Sequence, residues 1–450
     1  MIESARPPTE ICSRDFIVNA EIGIIGGGIA GLASAFRLAS LGHRVSIIES
    51  SNVLGGLGTF FELDGRNIDR FYHCIMPSDD DFLGLIKDLG QSEQLYWDNT
   101  LMGMVYEGDH YPFNTPFDLL KFSPLSIIER VRLGAMSLML GRLGNDEDLD
   151  GTPIEVWLRR LFGEALWTKF WAPMFSAKFG VGAATLPALY LKKRLGRESN
   201  VATRGYIEGG LFGLIQTLES AIKNANGTVH INSAVSNISQ NRRKVTVSTE
   251  DGRSMEFDYV ISTIPLNLLS KAASGLDGIE ALPKLTYQGV VNMLLLLNRP
   301  LDRYYWTPSL FSGTEFDGIV ESSALIRTEH YGGYHAAYVM KYTSRESELF
   351  GSAETEIADR WTREFLRIYQ SRGITPANIR KVLVFRAPFV EPIYPLNYTK
   401  VQPQTRIGQS NVFLATTAQV YPYITSWNSS IRVANNTISA LLGQIEKDNL

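Results

Sequence analysis

The first apolar run of this chain breaks on glycine. Ile22-Gly-Ile-Ile25 is too short for a helix and has the length of a buried strand. Gly26, Gly27 and Gly28 end it. Residues 29–40 (Ile-Ala-Gly-Leu-Ala-Ser-Ala-Phe-Arg-Leu-Ala-Ser) are small and helix-forming, Gly42 closes them, and Val45-Ser-Ile-Ile runs into Glu49. The pattern predicts strand, helix and strand, one β-α-β unit.

Later segments are read the same way. Asp64-Gly65 between two short runs predicts a hairpin. Residues 79–98 predict one amphipathic helix, with Asp79, Asp80 and Asp81 at its start and Phe82, Leu83, Leu85, Ile86 and Leu89 on its apolar positions. From 112 to 200, Pro116, Pro124 and Pro153 each begin a helical stretch, and Trp157, Trp167 and Trp171 cluster, so a helical insertion is expected with most of these aromatics in its core. A helix is predicted near 211–225 between Gly210 and Gly227. A strand at 228–232, alternating runs at 235–238, 244–249 and 254–257, and an apolar strand from Asp258 to Pro265 follow. Strand-like runs at 288–297, 335–343 and 379–387 with a helix at 352–372 predict an antiparallel sheet. A strand at 411–415, a loop at 421–428 and a helix at 429–446 end the series.

Composition narrows the class. The 450 residues suffice for more than one domain, with 44% hydrophobic and 20% charged residues. A net charge of −4 gives no reason to expect nucleic acid as a partner. The two cysteines, Cys12 and Cys74, point away from a disulfide framework and toward a reducing, cytoplasmic compartment. No cysteine–histidine spacing suggests a metal. No run approaches the ~18 apolar residues of a membrane span, and residues 1–20 read as a leader without a signal-peptide core. Phe117, Leu119, Leu120, Phe122 and Leu125 fit either a buried helix or a peripheral membrane contact. Oligomeric state is not readable.

Chemistry enters with the glycines. Gly26, Gly28 and Gly31 fit G-x-G-x-x-G, and Glu49 ends the second strand. In such a unit the first glycine allows the tight turn, the second lets backbone approach a pyrophosphate, and the third lets helix pack on sheet. The amides at residues 28–31, Ile29 and Ala30 among them, would face the phosphates at a helix N-terminus. Glu49 would accept bonds from ribose hydroxyls and repel a 2′-phosphate. A second glycine pair, Gly55-Gly56-Leu57, places more free amides nearby.

The order of these landmarks resembles the FAD-dependent amine oxidase, protoporphyrinogen oxidase and phytoene desaturase superfamily, with UDP-galactopyranose mutases more distant. The resemblance spans residues 21–443. It rests on the glycine fingerprint, Glu49, Gly55-Gly56, the Val235 segment, the Asp258–Pro265 strand, Phe71-Tyr72-His73, Tyr421-Pro422 and the last strand and helix. It implies an α/β fold: a Rossmann-type FAD-binding domain, a parallel sheet with a β-meander, plus a substrate domain of antiparallel sheet and helical insertion. The expected division is a leader at 1–20, FAD-binding parts at 21–111, 205–284 and 406–450, the insertion at 112–204 and the substrate sheet at 285–405.

The resemblance also implies roles. Gly26, Gly28 and Gly31 would hold the FAD pyrophosphate, Glu49 the ribose, and Gly55, Gly56 and Leu57 the phosphates and ribityl chain. Val235 would meet the adenine through its backbone, with Thr263 and Pro265 near the adenosine side. Ser426, Trp427 and Asn428 would offer helix N-terminal amides to the flavin. Where the family often has Gly-Asp or Gly-Glu after the last strand, this chain has Ala415-Thr416-Thr417, which leaves Thr416 an uncharged partner. His73 reads as a polar group beside the flavin or as a structural histidine. Lys341 reads as a lysine reaching the flavin through water or as a surface lysine. Tyr72, Tyr421 and Tyr423 would shape a substrate pocket. The expected activity is hydride removal from a C–N or C–C unit of a small or medium organic substrate. Two alternatives stay open: a redox-neutral mutase, for which Arg159, Arg160, Arg194, Arg197 and Arg204 could grip a nucleotide diphosphate, and a binding protein that has lost turnover.

Overall fold

The computed structural model describes residues 19–179, 185–197 and 202–449. Most of the leader, Cys12 and the Arg197 side chain lie outside the described residues.

The predicted β-α-β unit is present as strand Glu21–Ile25, helix Ile29–Ser40 and strand Arg44–Ile48. Its strands sit inside a five-stranded parallel sheet ordered 412–414, 259–262, 21–25, 44–48 and 228–230. Side chains alternate across that sheet, so each strand serves two cores. Ile22, Ile24, Val45, Ile47, Ile261 and Phe413 pack with helices Ile29–Ser40, Gly210–Asn224 and Trp427–Asp448. Ile25, Ile48, Val260, Val412 and Leu414 belong to the opposite core with Ile238, Val245, Val247 and Phe257 of the three-stranded meander. Both faces are therefore covered, as a parallel sheet requires.

The second sheet has seven strands, ordered 379–393, 286–297, 335–343, 318–321, 304–310, 101–106 and 109–112. Strand Thr286–Leu297 lies second from one edge, paired along most of its length with both 379–393 and 335–343. Val291, Met293, Leu295 and Leu297 pack against Ile357, Trp361 and Phe365 of helix Glu354–Tyr369. Val290, Leu294 and Leu296 face the other way, into a cluster with Tyr206, Tyr338 and Tyr342. This second face looks toward the nucleotide-binding half.

Three expectations need correction. The helix drawn over 79–98 ends at Asp88, because Gly90 takes φ 69°, and strand Leu95–Asn99 follows, pairing with Thr203–Ile207. The hairpin Leu101–Tyr106 and Asp109–Pro112 joins the second sheet through a parallel pairing with Tyr304–Leu310, although its sequence position suggested the nucleotide-binding part. Pro124 does not begin a helix; Ser126 caps Ile127–Met139 with its side chain. The insertion is helical as expected, and Trp157 and Trp167 are buried in it. Its apolar stretch divides: Phe122 and Leu125 are buried, whereas Phe117 and Leu120 lie exposed beside Ile127, Ile128, Val131, Leu138 and Met139. Among the described residues no helix is long and apolar enough to cross a membrane.

Candidate functional site

Strands of the parallel sheet end where Gly28, Thr263 and Ala415 begin the wall of a cavity of about 430 Å³. Such a position, outside the carboxyl ends of parallel strands, is where this architecture binds ligands. The cavity runs from Gly28, Ile29 and Ala30 past Gly55, Leu57, Pro265, Ser426 and Trp427 to His73, Tyr72, Tyr342, Lys178, Arg194 and Glu391.

At the first end, two glycines behave differently. A Cβ on Gly31 would lie 2.0 Å from the Gly26 carbonyl oxygen, so the fold itself demands glycine there. A Cβ on Gly28 would meet only Gly56 Cα, at 3.8 Å, and Gly28 has φ −74° and ψ −178°, which any residue adopts. The fold does not need glycine at Gly28, which lines the cavity. Helix Ile29–Ser40 begins there without a side-chain cap, so its first amides are unclaimed by a capping side chain. Gly55 N–H donates to the Gly27 carbonyl at 2.8 Å, which brings the second glycine pair alongside the first. Glu49 Oε2 accepts from Gly27 N at 2.6 Å, and its Oε1 accepts from Ser51 N at 2.7 Å. Oε1 also accepts from Ser50 Oγ at 3.2 Å, so Oε2, with one partner, is the oxygen that keeps acceptor capacity for a ribose hydroxyl. The donor set and the open cradle fit an adenosine diphosphate moiety.

Val235 begins the first meander strand, and Thr263 Oγ1 donates to the Ile25 carbonyl at 2.9 Å. Pro265 precedes helix Leu266–Ala272. At the far side of the cavity, Ser426 caps the 22-residue helix Trp427–Asp448 by accepting from Ser429 N at 3.2 Å. The Trp427 ring stands 5.4 Å from the His73 ring, centroid to centroid. His73 Nδ1 lies 3.0 Å from the Phe71 carbonyl oxygen, so Nδ1 carries the proton and Nε2 keeps a lone pair. Burial lowers the His73 pKa to about 4, leaving a neutral imidazole at neutral pH. Tyr72 OH meets Tyr342 OH at 3.1 Å, and burial raises both phenols, so they stay protonated.

Several expected residues are not on the wall. Lys341 sits between Met340 and Tyr342, which line the cavity, so strand alternation turns it to the opposite face, where Nζ pairs with Asp317 Oδ1 at 2.9 Å. Thr416 is buried and its hydroxyl accepts from Ala418 N at 3.1 Å, capping a short turn; Ala415 and Thr417 take the wall instead. Asn428 Oδ1 accepts from Phe82 N at 2.9 Å and ties the last helix to Asp80–Asp88. Tyr421 donates to Asp150 inside an aromatic group with Tyr394 and Tyr398. Tyr423 is exposed beneath the Arg432 guanidinium.

Other wall residues carry no local motif. Asn292 is one: Nδ2 donates to the Arg70 carbonyl at 2.8 Å, and Oδ1 is buried without a partner among the described residues. Lys178, Arg194, Tyr206 and Glu391 are others. Only the period of strand 286–297, which puts Asn292 on the face of Val290, could have flagged one of them.

Residues 29–436 match the family model described as flavin containing amine oxidoreductase. The chain belongs to that family. Its members are flavin-dependent, and this chain is an FAD-dependent oxidoreductase of the amine oxidase type. Among curated relatives, the 15-cis-phytoene desaturase of Solanum lycopersicum is 22% identical over 422 residues, covering 85% of this chain and 72% of its own. The fold is similar to that of reduced UDP-galactopyranose mutase, with TM-score 0.76, 17% identity and 95% of each chain covered. It is also similar to cyclohexylamine oxidase from Brevibacterium oxydans, with TM-score 0.73, 14% identity, and 95% of this chain and 100% of that one covered.

Proposed function

We propose that this oxidoreductase removes a hydride from a C–N or C–C unit of a small or medium organic molecule, with bound FAD supplying the electron-accepting chemistry. One observation carries the reading: a single cavity joins the open space at Gly28 to the wall formed by Trp427, His73, Tyr342 and Lys178. Gly28, Ile29, Ala30, Glu49, Gly55 and Leu57 would hold the adenosine diphosphate and ribityl portion. Ser426 and Trp427 would orient the ring end. His73, neutral and with a free Nε2 lone pair, would accept a hydrogen bond from substrate or cofactor. Tyr72, Tyr342, Val290 and Phe389 would exclude water from the reacting bond.

The mutase reading finds less support. Of the arginines offered for a nucleotide diphosphate, Arg194 lines the cavity, while Arg159 pairs with Glu155 and Arg204 lies over the Tyr305 ring. The test is anaerobic mixing of the yellow protein with amines, nucleotide sugars and polyenes. Bleaching of the flavin band by an amine or polyene without added reductant supports the oxidoreductase; turnover of a nucleotide sugar only after dithionite reduction supports the mutase.

We also propose a cytoplasmic enzyme that rests on a bilayer surface. Exposed Phe117, Leu120, Ile127, Ile128, Val131 and Leu138 form an apolar ridge, with Lys121, Arg132 and Arg142 exposed around it to meet anionic headgroups. The double variant Ile128→Glu/Leu138→Glu should no longer sediment with phosphatidylglycerol vesicles; sedimentation equal to the parent protein would refute the contact.

A further inference from the structure

The cavity end farthest from Gly28 is mostly apolar and phenolic, and Lys178 and Arg194 are the basic side chains on its wall among the described residues. Lys178, near the end of helix Ala172–Phe179, places Nζ 4.1 Å from the Tyr342 ring centroid. Among the described residues it makes no ion pair and no hydrogen bond through Nζ. Its backbone is pinned, because Gln288 Nε2 donates to the Lys178 carbonyl at 2.7 Å. An ammonium held over a ring keeps N–H donors free on its other side. Among the described residues Glu391 is the carboxylate on this part of the wall; it is buried, accepts a hydrogen bond from Tyr190 OH, and stands against two basic side chains, Lys178 and Arg194. Arg194 adds a second positive charge to the same wall.

We infer that this end binds an oxyanion of the substrate, a carboxylate or phosphate carried on an apolar body, and that Lys178 is the residue that selects it. The inference rests on the reading that this end of the cavity receives the substrate. A simple alkylamine would bring its charge against Lys178 and Arg194, so the cavity selects against it even though the fold is shared with amine oxidases. The apolar body would lie along Val290, Met340, Phe389 and Val390. Tyr72 and Tyr342, protonated at physiological pH, add no charge that would cancel the cation.

The experiment is calorimetric titration of the purified FAD-loaded protein with octanoate, octyl phosphate, octanamide and octylamine. Octanoate or octyl phosphate should bind roughly tenfold tighter than octanamide, and octylamine no tighter than octanamide. Whichever anion binds more tightly identifies the source of the oxyanion. Lys178→Gln should abolish the anion preference, and Lys178→Arg should keep it, while the visible flavin spectrum and flavin content of both match the parent. Octylamine binding tightest, no probe binding, or an anion preference that survives in Lys178→Gln would overturn the assignment. A protein without flavin would instead count against the oxidoreductase reading, so the two failures are distinct.

Discussion

Substituting alanine at two glycines within six residues of the first strand should separate folding from cofactor binding. At Gly28 a methyl group enters open space, with its nearest protein atom 3.8 Å away and an ordinary backbone conformation. The cost to the apoprotein is limited to a poorer helix start, of order 0.5–1 kcal/mol. The same methyl occupies the approach to the pyrophosphate. Losing one charge-assisted amide–phosphate bond weakens binding by about 1.5–3 kcal/mol, or roughly 10- to 150-fold. At Gly31 the methyl would sit 2.0 Å from a backbone carbonyl oxygen, a clash that only movement of the turn or helix relieves. Overpacking of that kind costs about 1–3 kcal/mol or more before any ligand is considered. The assay is paired: the ratio of visible flavin to protein absorbance, and the Tm of flavin-stripped protein. Gly28→Ala should lose flavin and nearly keep its apoprotein Tm, and Gly31→Ala should lower that Tm. The reasoning is refuted if Gly28→Ala binds FAD with the parent affinity, or if its stripped form melts as low as Gly31→Ala.

Other outcomes follow from the same geometry. Glu49→Ala leaves the Gly27 N–H without its 2.6 Å partner and should cost the apoprotein about 1–3 kcal/mol, measured in urea; an unchanged midpoint contradicts this. His73 has a folded pKa near 4 against a usual 6.5, so between these values the unfolded chain takes up a proton that the folded chain refuses. Its contribution is fully present above pH 6.5 and is lost as pH falls, so His73→Gln should flatten the decline in Tm across that window; an unchanged slope counts against a buried neutral imidazole. Lys341→Met should leave flavin content and spectrum untouched. Asp317, already raised to about 6 by burial, then loses its partner and its pKa climbs further. The variant should therefore lose more stability at pH 8 than at pH 5, and an altered flavin spectrum would return Lys341 to the site.

The local part of the fold was legible because local spacing dictates it. Three glycines after a four-residue apolar run, a small-residue helix and a terminal acid leave the chain little choice but a strand-turn-helix-strand. The meander announced itself through the alternating runs at 235–238, 244–249 and 254–257. The hairpin at 101–112 was not legible, since it is held by a partner strand some two hundred residues away, and neither strand has a distinctive period. At the site, glycines could be assigned from sequence because their role is backbone geometry. Side-chain roles were harder. Lys341 and Tyr342 are neighbours in sequence and face opposite layers, so an error of one residue exchanges a cavity wall for a core. Thr416 is claimed by a local backbone amide, that of Ala418, whereas Asn428 is claimed by the distant Phe82 amide, which sequence spacing does not reveal. Lys178 and Asn292 reach the cavity from different elements and share no motif, so only the assembled fold brings them together.

The most direct test of the account is the electron density of FAD in crystals of the purified enzyme. The pyrophosphate should lie against the amides of Gly28, Ile29 and Ala30, the ribose against Glu49, and the flavin ring at the Ser426–Trp427 end of the same cavity, facing the pocket that ends at Lys178. A flavin ring placed at the Gly28 end, or density outside this cavity altogether, would contradict it.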